Sequence, residues 1–138
     1  MIPNHVTKIG WGAFYECAGL TSVVIPDGVR EIGECAFNGC TGLTSIVIPD
    51  SVTEIKWGTF SGCTGLTSIV ISNSVKQIRN YAFKGCTGLT SIIIPDSGTK
   101  IGKDAFAGCP KLVIYARKNS AAAAFAERRN IPFKALED

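Results

Sequence analysis

Apolar side chains in this chain recur every 23 residues, with polar and small residues between them. Five columns keep one residue type through five copies of this period: phenylalanine (Phe14, Phe37, Phe60, Phe83, Phe106), cysteine (Cys17, Cys40, Cys63, Cys86, Cys109), leucine (Leu20, Leu43, Leu66, Leu89, Leu112) and two of isoleucine (Ile9, Ile32, Ile55, Ile78, Ile101 and Ile2, Ile25, Ile48, Ile71, Ile94). One such coil cannot bury its own apolar face, so neighbouring coils must cover it. The pattern predicts a solenoid with like residues stacked in its core.

Each copy contains one clear strand signal. Residues 43–48, LTSIVI, fit the L-x-x-L-x-L strand of leucine-rich repeats. Because side chains alternate along a strand, we expect Ile46 and Ile48 to point inward and Val47 outward. Pro49 lacks an N–H group and ends the strand. A second short extended piece is expected through Val52 and Ile55, followed by a tight turn that leads back to the cysteine.

The stretches GCTGLTSIVIP and IPDSVTEI, residues 39–55, give the repeat a specific resemblance. They resemble the BspA-like leucine-rich-repeat family, a 23-residue class found in bacterial surface proteins, and the resemblance covers residues 2–116. It implies a right-handed arc with a parallel β-sheet on the concave face and short extended or helical turns on the convex face. It also implies adhesion or recognition at a bacterial surface, and it supplies no catalytic residues. Ser72 and Gly98 depart from the proline and valine of their columns.

We expect two regions, with residues 1–116 forming five 23-residue leucine-rich repeats and residues 117–138 forming a C-terminal cap. Asn119 or Ser120 can cap a helix over about 120–129, and Phe125 should face the last coil. Asn130 then ends the helix, and a short extended tail follows. At Gly98 the missing side chain predicts a void or a shifted turn.

Composition excludes several classes of protein. Apolar residues make up 46% of the chain, yet no apolar run is long enough to span a bilayer. The opening MIPNHVTKIG contains no secretory signal. The net charge of +3 divides into −3 over residues 1–70 and +6 over residues 71–138. The basic half leaves polyanion binding as a weak alternative, but nucleic acid is not favoured because no Lys/Arg run exceeds two residues.

The sequence favours a protein that is not an enzyme and predicts neither a cofactor nor a metal site. His5 is the one histidine, the cysteine spacing does not resemble metal-binding patterns, and no phosphate-binding glycine loop occurs. We expect the five column cysteines to be buried free thiols and Cys35, which lies outside the column, to be the accessible thiol. An Asn/Asp column after the strand favours side-chain-capped turns over calcium binding (Asn4, Asp27, Asp50, Asn73, Asp96).

Two surfaces are candidates for binding. The concave face is predicted to expose hydroxyl and β-branched residues: Ser22, Val24, Ser45, Val47, Ser68, Val70, Ser91 and Ile93. Such an uncharged strip can mark a protein contact, although valine and threonine also simply favour strands. Trp11, Trp57 and Tyr81 form a second set, which can stack on sugars, anchor a protein or cover neighbouring coils.

The sequence therefore predicts a non-enzymatic protein- or glycan-binding module, part of a larger bacterial surface or secreted protein. The alternative is a structural or self-associating repeat scaffold, of engineered or consensus-like uniformity. The first copy contributes a full set of core residues with no cap before it. We expect either further repeats before Met1 or self-association through this N-terminal edge.

Overall fold

The computed structural model describes residues 2–136, which form a stack of coils closed by one helix. The elements are β1 (Lys8–Ile9), β2 (Glu31–Ile32), β3 (Glu54–Ile55), β4 (Ser68–Val70), β5 (Gln77–Ile78), β6 (Ser91–Ile94), β7 (Lys100–Ile101), β8 (Val113–Ala116), α1 (Ala121–Arg129) and β9 (Phe133–Ala135). The predicted solenoid with a C-terminal helical cap is confirmed.

All strand pairs are parallel and lie in two faces. The concave sheet has the order β4-β6-β8-β9, and the second face contains the pairs β1-β2 and β3-β5-β7. Ser68 pairs with Ser91, and Gln77 pairs with Lys100, so one step across each face equals one sequence period. Equivalent residues of successive copies therefore lie side by side.

The predicted side-chain alternation in the strand is also confirmed. Ile46 and Ile48 are buried and Val47 is exposed. Regular ladder pairing on the concave face begins only at Ser68, whereas the first two copies are extended without strand pairing. There, Thr44 N donates to Thr21 O at 3.2 Å. Burial of alternate side chains thus fixes the conformation even where the ladder is incomplete.

Stacked phenylalanines run through the core. Phe14, Phe37, Phe60, Phe83 and Phe106 form successive ring pairs with centroids 5.2, 5.5, 5.3 and 5.4 Å apart and nearly parallel planes. Phe125 of α1 closes the stack with an edge contact at 6.0 Å from Phe106. The cap helix therefore covers the last coil with the residue that the sequence predicted.

Tight turns on the convex side link each coil to the next. Cys35 N donates to Trp57 O at 3.1 Å, Phe37 N to Thr59 O at 2.9 Å, and Gly39 N to Ser61 O at 2.8 Å. The residue that carries the third of these N–H groups has a left-handed backbone conformation in every copy. These residues are Glu16, Gly39, Gly62, Gly85 and Gly108. Glycine adopts this conformation without a steric penalty, so Glu16 is the strained member of its column.

The turn at Gly98 is shifted by one residue. Val75 N donates to Ser72 O, and the equivalent bond runs from Thr99 N to Asp96 O, at 3.5 Å. Thr99 is fully buried beside Val75, whose carbonyl accepts its hydroxyl at 2.7 Å. Gly98 itself is exposed, so the shifted turn is confirmed and Thr99 occupies the position that valine fills elsewhere.

The last repeat has one residue fewer than the others between Leu112 and its strand. Ser91 pairs with Val113 and Ile93 pairs with Tyr115, 22 residues apart. Ser120 caps α1 by accepting a hydrogen bond from Ala123 N at 3.0 Å, and Asn130 ends the helix in a left-handed conformation. The chain then returns as β9, which extends the concave sheet beside β8.

Candidate binding surfaces

An uncharged strip runs across the concave face. Val24, Val47 and Val70 are 80%, 78% and 56% exposed, and Ile93 is half-buried. Coils are spaced by about 4.8 Å. We call these four residues and their serine neighbours Ser22, Ser45, Ser68 and Ser91 the sheet-face strip. The strip presents methyl groups beside hydroxyls, a surface able to desolvate a partner while still offering hydrogen bonds.

The structure adds a residue to this strip that the period does not predict. Tyr115 pairs with Ile93 in the ladder and is half-buried, so it continues the apolar row. Its partner on the other side is Lys134 of β9. The one-residue deletion before Ile114 was the available signal, because it moves Tyr115 into the outward register.

A threonine precedes each serine of the sheet-face strip. Thr21, Thr44, Thr67 and Thr90 are exposed. Thr90 Oγ1 donates to Thr67 O at 3.0 Å, and Thr44 Oγ1 makes the equivalent contact to Thr21 O at 3.5 Å. These hydroxyls are partly engaged with the backbone, so the serines beside the valines are the freer polar groups.

Aromatic side chains lie on the convex turns as two separate pairs. Trp11 is 71% exposed, and its ring stacks on Tyr15 with centroids 6.4 Å apart and planes 15° from parallel. Trp57 contacts Tyr81 edge-on at 5.6 Å, and Lys84 Nζ lies 5.0 Å from the centre of the Tyr81 ring. Tyr81 is half-buried between these neighbours, whereas the Trp11–Tyr15 pair forms an open platform. Tyr15 was missed by sequence reasoning, although it follows Trp11 by four residues within one turn.

The cysteine column is a hydrogen-bond ladder. The thiols of Cys40, Cys63, Cys86 and Cys109 donate to the carbonyls of Phe14, Phe37, Phe60 and Phe83 of the preceding coil, at 3.0–3.2 Å. Burial raises the pKa of Cys40, and it raises the pKa of Cys63 to about 12. A hydrogen bond with Cys109 and burial raise the pKa of Cys86. A hydrogen bond with Cys86 lowers the pKa of Cys109, so the structural, non-nucleophilic role applies to Cys40, Cys63 and Cys86.

The expectation of an accessible Cys35 is wrong. Cys35 is only 5% exposed, and burial raises the pKa of its thiol. The next coil covers it, since a Cβ added at Gly58 would lie 3.1 Å from Cys35 Sγ. Cys17 is exposed instead and Cys109 is half-buried, so the expectation of five buried column thiols is confirmed only for Cys40, Cys63 and Cys86. The thiols of the other four column cysteines point to the preceding coil. Within residues 2–136, no coil precedes the one that contains Cys17.

Charged side chains pair across coils on the second face. Glu31 contacts both Lys8, at 3.8 Å, and Lys56, at 2.5 Å, and Arg79 contacts Glu54 at 3.1 Å. A hydrogen bond from Lys56 lowers the pKa of Glu31. These pairs neutralise part of the charge on this face, whereas Lys100 of β7 is exposed and forms no ion pair within residues 2–136.

Among residues 2–136 there is no cluster of three or more His, Cys, Asp or Glu side chains that could hold a metal ion. In the Asn/Asp column, Asp96 makes a side-chain-capped turn, in which its Oδ2 accepts from Gly98 N at 3.2 Å. No helix within the same residues is long and apolar enough to cross a membrane.

These features place the chain in a known family. The BspA-type leucine-rich-repeat region matches residues 1–113 in six copies, and the chain belongs to this family. Comparison with curated proteins gives no match.

Solved bacterial structures are similar to this chain. A leucine-rich cell surface protein of Faecalibacterium prausnitzii is 41% identical over 88% of this chain and 32% of its own, with a TM-score of 0.82. A leucine-rich-repeat protein of T. pallidum is 35% identical over 80% of this chain and 52% of its own, with a TM-score of 0.75. The chain thus spans about a third and about half of these proteins. The pneumococcal vaccine antigen PcpA, at 17% identity and a TM-score of 0.72, shares the fold.

Proposed function

We propose that this chain is a non-enzymatic recognition module that binds a protein partner through the sheet-face strip. The observation that carries the proposal is the exposure of Val24, Val47 and Val70 in one uncharged row. Exposed contiguous apolar rows are uncommon on monomeric proteins and mark interaction sites. In this proposal residues 1–116 are the binding array, and residues 117–138 are the cap that closes its core.

The proposed setting is a bacterial surface or secreted protein of which this chain is a part. Support comes from the F. prausnitzii relative, which is described as a cell surface protein. A recognition role at a surface also agrees with a face that has few charges and many hydroxyls.

A second candidate is glycan binding at the Trp11–Tyr15 platform. The specific observation is a pair of nearly parallel, solvent-facing rings on one turn. Flat aromatic faces can pack against the apolar face of a sugar ring, whereas Tyr81 is too covered to do so without moving.

Binding to a panel of host matrix proteins and glycans, at low and high salt, tests these roles. We expect a protein partner whose binding persists at high salt and is weakened at least tenfold by Val47→Lys combined with Val70→Lys. Thr41→Lys combined with Thr64→Lys, on exposed turn positions outside the strip, adds the same two charges and should leave binding unchanged. A glycan whose binding depends on Trp11 and not on Val47 would identify the aromatic platform instead.

Two outcomes would overturn both candidates. Steep loss of binding with salt, together with insensitivity to Val47→Lys and Trp11→Ala, would indicate polyanion attraction to the basic half. Absence of any partner, with a molecular mass that grows with concentration, would indicate a self-associating scaffold.

A further inference from the structure

The hydrogen-bond ladder of the convex turns reaches an open end at the last coil. In the preceding coil, Phe83 N donates to Ala105 O at 2.9 Å and Gly85 N donates to Ala107 O at 2.8 Å. The equivalent N–H groups of the last coil belong to Phe106 and Gly108. Within residues 2–136, neither of them has an acceptor.

Gly108 lies on the exposed part of the turn, whereas Phe106 is nearly buried, and an unpaired amide there is unusual. The exposed fraction of Phe106 is 5%, and buried main-chain N–H groups are almost always paired. Gly108 has a left-handed backbone with φ of 76°, as in the other glycines of its column. Between Phe106 and Gly108, Ala107 N donates to Asp104 O at 3.2 Å, so these two unpaired donors lie two residues apart on either side of a bonded one.

The same two residues line a cavity of about 380 Å³ between the last turn and the cap. Lys103 and Arg129 line its polar side, and neither forms an ion pair within the described part of the chain. Asp104 also lines the cavity, which leaves the charged lining at +1. The apolar side includes Phe125, Leu112 and Ile131.

From this arrangement we propose a binding site for a small organic carboxylate with an apolar body. The carboxylate oxygens accept hydrogen bonds from the N–H groups of Phe106 and Gly108. In the earlier coils, carbonyl oxygens of the following coil accept the equivalent bonds. Arg129 and Lys103 neutralise the charge. The hydrocarbon part lies against Leu112 and Phe125. The volume is within the range of small-molecule sites.

The ladder itself explains why a carboxylate suits this site. Phe83 and Gly85 bond two separate carbonyl oxygens from residues two apart, and a carboxylate offers two acceptor oxygens on one carbon. Hydrogen bonds to an ionised acceptor are stronger than those to a neutral carbonyl. This site shares no residue with the sheet-face strip, so it goes beyond the proposed function and does not depend on it.

Amide NMR of the full 15N-labelled chain during titration with sodium hexanoate tests the proposal. We expect saturable shifts of the Phe106 and Gly108 amides, while the bonded amides of Phe83 and Gly85 stay unchanged as internal controls. Acetate should bind more weakly, by about fourfold for each methylene that the cavity no longer buries.

Charge variants distinguish a built site from general attraction. Arg129→Gln should weaken hexanoate binding about tenfold. Arg128→Gln, which removes the same charge from the same helical turn but does not line the cavity, should change it less than about twofold. The proposal is overturned if the Phe106 and Gly108 amides do not move, if Arg128→Gln weakens binding as much as Arg129→Gln, or if sulfate binds as tightly as hexanoate.

Discussion

The thiol of Cys63 donates a hydrogen bond to the carbonyl oxygen of Phe37 at 3.2 Å, in the coil before its own. That carbonyl also accepts Cys40 N at 3.1 Å within its own turn. Cysteine is therefore required in this column for two reasons. It is small enough for the core, and it carries a donor that joins neighbouring coils.

Cys63→Ala should destabilise the chain by about 1–3 kcal/mol, because it removes a buried hydrogen bond and leaves a small cavity. The matched variant Cys17→Ala removes an exposed thiol and should change the free energy of unfolding by less than about 0.5 kcal/mol. Urea denaturation measures both. Equal effects of the two variants would contradict a structural role for the ladder.

Thiol labelling of the native chain should modify Cys17 first and Cys109 more slowly. Cys35, Cys40, Cys63 and Cys86 are buried and should react only on unfolding. Mass spectrometry after brief labelling identifies the modified sites. Rapid labelling of Cys35 in folded protein would show that its turn opens, and would restore the expectation drawn from the sequence.

Stability should fall with rising pH above about 9. The pKa of Cys63 is raised from 9.0 to about 12 in the folded state, so between these values the unfolded chain loses a proton that the folded chain keeps. Stability from this thiol is fully present below pH 9 and is lost as pH rises towards 12, with a slope of about 1.4 kcal/mol per pH unit. Denaturation at several alkaline pH values should show a shallower fall for Cys63→Ala. Identical slopes would mean that Cys63 titrates normally in the fold.

Glu16→Gly should stabilise the chain by about 0.5–1 kcal/mol. Glu16 is exposed and has φ of 57°, a conformation that its column mates satisfy with glycine. Glu16→Ala is the control, since it removes the carboxylate but keeps the Cβ that causes the strain. If alanine stabilises as much as glycine, the carboxylate and not the backbone is the cause.

Self-association through the first coil remains a prediction. Ile2, Phe14, Leu20 and Val23 line a cavity of about 270 Å³ on the N-terminal face of this chain. Light scattering should show a mass rising towards a dimer with concentration, and Ile2→Asp with Val24→Lys should abolish the rise. Val70→Lys, in the middle of the strip, should not. A wild type that stays monomeric, with the first coil protected in hydrogen exchange, would refute this.

The period in the sequence determined the solenoid, the inward residues of each strand and the phenylalanine, leucine and cysteine stacks. It could do so because each coil repeats the same apolar spacing, and spacing within one coil decides which side chains point inward. Ser120 and Phe125 were likewise readable from local capping and from the one large apolar residue of the helix.

Only the tertiary structure decided the burial and hydrogen bonding of residues at positions where neighbouring coils differ in sequence. Cys35 is buried because the following coil has Gly58 opposite it, while Cys17 is exposed although its column is otherwise core. Thr99 replaces a valine because the turn slips by one residue, and Tyr115 joins the strip through a deletion. The free amides of Phe106 and Gly108 arise the same way, because burial and hydrogen bonding belong to pairs of coils, whereas the period describes one coil alone.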